Sequence, residues 1–218
     1  MTFQVALVGA DCTVVGSDRL FSEYSRHEVR NVAQRAPTCK ILIAADRSFV
    51  CAHAGGAQSR EMAREVVNKC QPQNRSQAQW ESHLKEILEP IWGTSGEIVD
   101  ELIIARAGSA VLTIAKRKGG TPTEIASVEN YICAGDIYLP ARFLPVHLWR
   151  EDMPEDSLKK LALLTLACAH EDNPSGIGCG YDIVTLRNDA ATIQEDRFTL
   201  NDGRKQYEEF RSKARSLI

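Results

Sequence analysis

The chain has 218 residues, of which 44% are hydrophobic and 25% charged, with a formal net charge of -3. This is ordinary globular composition. The scattered Lys and Arg give no basic stripe for nucleic acid, and no apolar run reaches the ~18–20 residues of a membrane-spanning helix.

Taken in order, the chain opens with two strand-like runs, "TFQVALVG" and "TVVGSD", around the turn "GADC". Residues 19–39 are polar, rich in Arg and Ser, and read as a loop. "KILIAA" and "SFVCAHAGG" form a second hairpin about Asp46-Arg47. Two helices follow. In the first, Met62, Ala63, Val66, Val67 and Cys70 recur at helical spacing. In the second, Trp80, Leu84, Ile87, Leu88 and Ile91 share one face, a stripe suited to packing on a sheet. Ser76 and Gln79 make a capping box at its start. Strands return with "DELIIARAG", "AVLTIAKRK", "TEIASV" and "YICAG", with a hairpin turn at Gly119-Gly120. A helical section ends in "PEDSLKKLALLTLACAH", with Pro154 and two acids where helix starts prefer them. The chain closes with "YDIVTLRND", a strand at "ATIQED", and a helix carrying Tyr207, Phe210 and Leu217.

Strands therefore come in hairpin runs, not in alternation with helices, which argues against a doubly wound parallel sheet. The expected class is α+β: two antiparallel sheets with helix pairs outside. One domain over 1–218 is enough to bury a sizeable core. The seven cysteines, Cys12, Cys39, Cys51, Cys70, Cys133, Cys168 and Cys179, include no Cys-x-x-Cys pair and lie mostly in apolar runs. They read as small hydrophobes in a reducing compartment. The opening lacks a basic flank and meets Asp11 early, so no signal peptide is expected and a cytoplasmic location is. Cys168, His170, Asp172 and Cys179 do not suggest zinc, because residues two apart on a helix point to different sides.

The second residue carries the chemistry. Removal of Met1 would leave Thr2 with a hydroxyl and a free α-amine, whose ordinary pKa near ~7.7–8.0 suits a general base. Amine-activated Thr is a known nucleophile design. Asp18 lies sixteen residues after Thr2, Lys40 heads a strand, and Gly55 follows Lys40 by fifteen. "DNPSG", with Asp172 and Ser175, follows the last long helix before "YDIVTLRND". In these motifs and their order the chain resembles the proteasome β-subunit family, including the HslV-like peptidases, and within it the beta-proteobacterial proteasome homologue type.

The resemblance implies a four-layer αββα sandwich of the N-terminal nucleophile (Ntn) hydrolase type and a self-compartmentalising threonine peptidase. Thr2 would attack the peptide carbonyl. Lys40 would stabilise the developing alkoxide, held by Asp18. The Gly55 N–H would serve the oxyanion, and Asp172 and Ser175 would orient the amine. His53 and Ala57 flank Gly55 where relatives line their specificity pocket. The implied partners are further copies in a homo-oligomeric double ring, a peptide or unfolded-protein substrate and an ATPase unfoldase. No nucleic acid, membrane, catalytic metal or cofactor is implied. A structural cation held by carbonyls between Asp172 and Cys179 is compatible with some relatives. The chain departs from the family in two places. Asp18 to Lys40 is a longer span, and "CAG" puts Ala134 where a Ser is usual. That missing hydroxyl, or a retained Met1, favours one alternative, an inactive ring acting as scaffold or binding chamber; a small-substrate amidase on the same fold is a further one.

Overall fold

A computed structural model of the chain describes residues 2–23, 34–55, 57–70, 76–92, 101–109, 111–115, 124–135, 139–189 and 192–216. Strands β1 (Phe3–Val8) and β2 (Cys12–Asp18) pair antiparallel from Gln4↔Ser17 to Val8↔Thr13, closed by a turn in which Gly9 N donates to Cys12 O at 2.9 Å. The polar stretch expected as a loop contains β3 (Leu20–Glu23) and β4 (Gln34–Pro37), an antiparallel ribbon separate from both main sheets. A ribbon that belongs to neither sheet needs no alternating apolar face, so periodicity gives no sign of it.

Strands β5 (Ile41–Ile43) and β6 (Phe49–Ala54) form the second hairpin, turning through Arg47 at φ 57°. Helices α1 (Ala57–Lys69) and α2 (Gln77–Trp92) follow, the latter with its capping box in place. There, Ser76 N donates to Gln79 Oε1 at 2.9 Å and Gln79 N to Ser76 Oγ at 3.3 Å. Then come β7 (Glu101–Arg106), β8 (Val111–Ala115), β9 (Glu124–Val128) and β10 (Tyr131–Gly135). The Gly119-Gly120 turn lies outside the described residues, as does Leu217. A 3-10 turn at Pro140–Arg142 leads into α3 (Phe143–Leu148) and α4 (Glu155–Asp172). Strands β11 (Tyr181–Arg187) and β12 (Ile193–Phe198) precede α5 (Leu200–Arg215).

Two five-stranded antiparallel sheets result, in the orders β10-β1-β2-β11-β12 and β5-β6-β7-β8-β9. Alternation along each strand sorts the apolar side chains into three layers. Phe3, Val5, Leu7 and Val14 meet Leu158, Leu161 and Leu166 of α4. Phe49, Cys51, Leu102 and Ile104 meet Met62, Val66, Trp80, Leu84 and Leu88 of α1 and α2. Between the sheets lie Ala6, Val15, Val50, Ala52, Ile103 and Val184. The apolar helix stripes are thus consumed by sheet packing. The large apolar side chains left exposed among the described residues are Phe143, Val146 and Leu200. No helix of the described residues is long and apolar enough to cross a membrane. The architecture is a four-layer αββα sandwich, as the hairpin order predicts.

Candidate active site

Asp18 ends β2 with its side chain fully buried, opposite Tyr181 of β11. A buried carboxylate needs its lone pairs filled, and four donors do so. Oδ1 accepts from Lys40 Nζ at 2.8 Å and from Phe3 N at 3.0 Å. Oδ2 accepts from Leu20 N at 3.0 Å and from Gly178 N at 3.4 Å. One side chain therefore ties the strand that Thr2 begins, the exit of β2, the loop before β11 and the head of β5.

Lys40 is 2% exposed. Burial lowers its pKa from the ordinary lysine value, and the Asp18 carboxylate, with a smaller effect from Cys179, restores only part of that loss. The Lys40 carbonyl accepts from His53 N at 3.0 Å, which extends the β5–β6 pairing to the lysine. Gln4, fully buried in the otherwise apolar β1, donates through Nε2 to His53 O at 2.7 Å. This bond crosses the sandwich and sets the β1 opening against the end of β6. Gly55 follows β6 at φ 129°, a conformation that favours glycine, two residues ahead of Ala57, the first residue of α1.

On the other side of Thr2 stands β10. Phe3 pairs with Gly135, at φ 98°, and a Cβ there would fall 2.0 Å from the Thr2 carbonyl oxygen. Gly135 N donates to Glu101 Oε2, a second polar link between the sheets. Ala134 is buried in the layer between the sheets and offers no hydrogen-bonding group. Thr2 itself is 8% exposed.

His53 is buried against the first turn of α1, its Nδ1 3.5 Å from Ser59 Oγ. Burial, and then the charges of Lys40, Arg60 and Arg64, push its pKa down to about 4. It is neutral at physiological pH. Ala57 opens α1. Asp172 ends α4 on the exposed surface, and Ser175, also exposed, donates to Asn173 Oδ1 at 3.0 Å. Among the described residues no hydrogen bond joins either of them to Thr2. The loop that carries them does reach the site three residues later, through Gly178 N. Cys179 follows at φ 61°, while Arg19 N donates to both Gly178 O and Gly180 O at 3.0 and 3.1 Å. Among the described residues no three His, Cys, Asp or Glu side chains gather as metal ligands.

The structure thus brings the Thr2 strand, Asp18 and Lys40 together, pairs His53 with Lys40, with Gly55 two residues further along the chain, and leaves Asp172 and Ser175 exposed. Gln4 and Glu101 are the site residues that the sequence reading passed over. Gln4 had a signal, a lone polar residue in a buried strand. Glu101 had none, since a strand-end carboxylate is usually solvated.

This αββα sandwich is the Ntn-hydrolase fold. The chain is similar along its whole length to solved structures of Anbu. A mutant form from Hyphomicrobium sp. strain MC1 matches with a TM-score of 0.73 and 15% identity, over 100% of this chain and 97% of that one. Anbu from Yersinia bercovieri, described as an ancestral beta-subunit, matches with 0.73 and 14%, over 99% and 95%. Another Anbu structure from the Hyphomicrobium strain gives 0.71 and 13%, over 99% and 96%. At these identities the likeness carries the fold. No family model matches the chain, and no curated protein does.

Proposed function

We propose that this chain is a threonine peptidase subunit that cleaves peptide bonds with Thr2 after Met1 is removed. The observation that carries the reading is the buried Asp18 carboxylate, which holds Lys40 Nζ at 2.8 Å and the backbone N of Phe3 at 3.0 Å. It thereby fixes a cation and the residue bonded to Thr2 in one frame. Thr2 Oγ attacks the carbonyl carbon while the α-amine takes its proton, directly or through water. The Lys40 ammonium lowers the cost of the developing alkoxide, and the Gly55 N–H donates to the oxyanion. The amine then returns the proton to the leaving nitrogen, and water hydrolyses the acyl–Thr2 ester. His53 and Ala57 line the side-chain subsite, and the loop carrying Asp172 and Ser175 acts on the site through Gly178 N, which donates to Asp18 Oδ2.

The subunit acts in a homo-oligomeric double ring, fed with unfolded protein by an ATPase, in the cytoplasm. These assignments rest on the proteasome-like fold and on the motif order. The exposed pair Phe143 and Val146 on α3 suits a face covered in an assembly. The non-catalytic ring is favoured by one observation, the buried methyl of Ala134 in place of a hydroxyl. Assaying the purified protein on a peptide library separates the two readings. The peptidase reading expects turnover that Thr2→Ser retains and Thr2→Ala abolishes. Turnover unaffected by Thr2→Ala, or none in the processed wild type, refutes it.

A further inference from the structure

The meeting of β6 and α1 holds two buried polar nitrogens that no bond-making or bond-breaking step uses. His53 is 7% exposed, and its Nε2 is buried with no hydrogen-bond partner. Arg60 Nε, one turn into α1, is likewise buried and unpartnered. The contact of His53 Nδ1 with Ser59 Oγ holds the imidazole against the first turn of α1. That turn contains no acidic residue, and a helix N-terminus itself favours negative charge. The charges that hold the His53 imidazole neutral, beside its burial, are cations: Lys40, Arg60 and Arg64. Lys40 is committed to Asp18, whereas among the described residues neither Arg60 nor Arg64 forms an ion pair.

We infer that the substrate residue immediately before the cleaved bond is acidic, and that its carboxylate is received by His53 and Arg60 where β6 meets α1. This rests on the peptidase reading, because it is Gly55, two residues beyond His53, that would hold the carbonyl of that same residue. Buried polar nitrogens are rarely left unpaired in folded proteins. An apolar side chain would leave both unpaired, and a Lys or Arg side chain would add a fourth cation. An amide could pair with them but leaves the positive charge uncompensated. A carboxylate supplies both the lone pairs and the charge. The neutral His53 then donates its Nε2 proton to the ligand, with Nδ1 turned to Ser59.

The test separates the subsite from the chemistry. N-acetylated tripeptide amides that differ only in their last residue, Glu, Gln, Leu or Lys, are titrated into the assembled Thr2→Ala protein by calorimetry. The Glu peptide is expected to bind at least about tenfold more tightly than the other three. Arg60→Gln in the same background should bring the Glu peptide to within about threefold of Gln. Equal or tighter binding of the Leu or Lys peptide overturns the inference, as does a Glu preference unchanged by Arg60→Gln. The Thr2→Ala protein has no nucleophile, so these results do not depend on turnover. Failure of the peptidase reading shows elsewhere, as a wild-type protein whose Thr2 is not labelled by an acylating probe.

Discussion

Lys40 Nζ lies 2.8 Å from Asp18 Oδ1, with both side chains almost wholly out of water. An ion pair this deep is held by geometry and by the additional hydrogen bonds around it. The two partners are not equivalent. Asp18 also satisfies three backbone amides, whereas among the described residues Lys40 has Asp18 as its one carboxylate partner. Asp18→Ala should therefore destabilise the fold by about 3–5 kcal/mol, leaving a buried ammonium and three orphaned N–H groups. Lys40→Met should cost less, because the carboxylate keeps its amide donors. Urea unfolding of both variants checks the order. A Lys40→Met protein that is the less stable of the two would contradict it.

The close approach of Gly135 to Thr2 makes position 135 intolerant of any side chain. Gly135→Ala combines a φ of 98° with a methyl 2.0 Å from the Thr2 carbonyl oxygen. The backbone strain alone is worth about 1–3 kcal/mol, and the clash must move one strand. The melting temperature should fall, and the reactivity of Thr2 toward an acylating probe should fall with it. A variant of wild-type stability and labelling would show that β10 does not hold residue 2.

Acid should weaken the protein in two separable windows. His53 has its pKa pushed below the ordinary 6.5 to about 4, so its folded form binds protons less readily than the unfolded chain. The stability it contributes is present above pH 6.5 and is lost as pH falls toward 4. Glu155, bound by Arg187 at 2.6 Å and by Lys159 at 2.7 Å, is pulled from 4.5 to about 2. Its contribution, on the order of 1–2 kcal/mol after solvent screening, is full above pH 4.5 and lost toward pH 2. Denaturant midpoints against pH should show both slopes, and Glu155→Gln should remove only the lower one. If Glu155→Gln leaves that slope intact, the Arg187 and Lys159 contacts are not what holds the carboxylate charged.

The capping box of α2 predicts a smaller, local effect. Ser76→Ala removes the acceptor for Gln79 N and should cost about 1 kcal/mol, read by chemical denaturation. No loss would mean that α2 is held by its Trp80, Leu84 and Leu88 face alone.

Much of this molecule is written in local pattern. The hairpins around residues 9–12 and 46–47 announce themselves by apolar runs and turn residues. The helix faces built on Met62 and Val66, and on Trp80 and Leu84, announce themselves by their spacing, because burial on a sheet demands it. The ribbon β3–β4 escapes that reading, since it belongs to neither sheet. Motif order brought Asp18 and Lys40 forward as partners, and the fold sets them in contact across a 22-residue separation. What no local pattern encodes is contact between the sheets. Gln4 with His53 and Glu101 with Gly135 are far apart in sequence, and their pairing exists only once the sandwich closes. The bonding of Ser175 to Asn173 is equally a product of loop shape, which motif spacing does not specify.

The central claim is that Thr2 is the nucleophile. Intact mass and peptide mapping of the purified assembly, after treatment with an epoxyketone, test it most directly. The account predicts a chain that begins at Thr2 and carries one covalent adduct on that residue, absent from Thr2→Ala and accompanied by loss of peptide hydrolysis. A hydrolytically active chain that retains Met1, or an adduct that persists in Thr2→Ala, would contradict it.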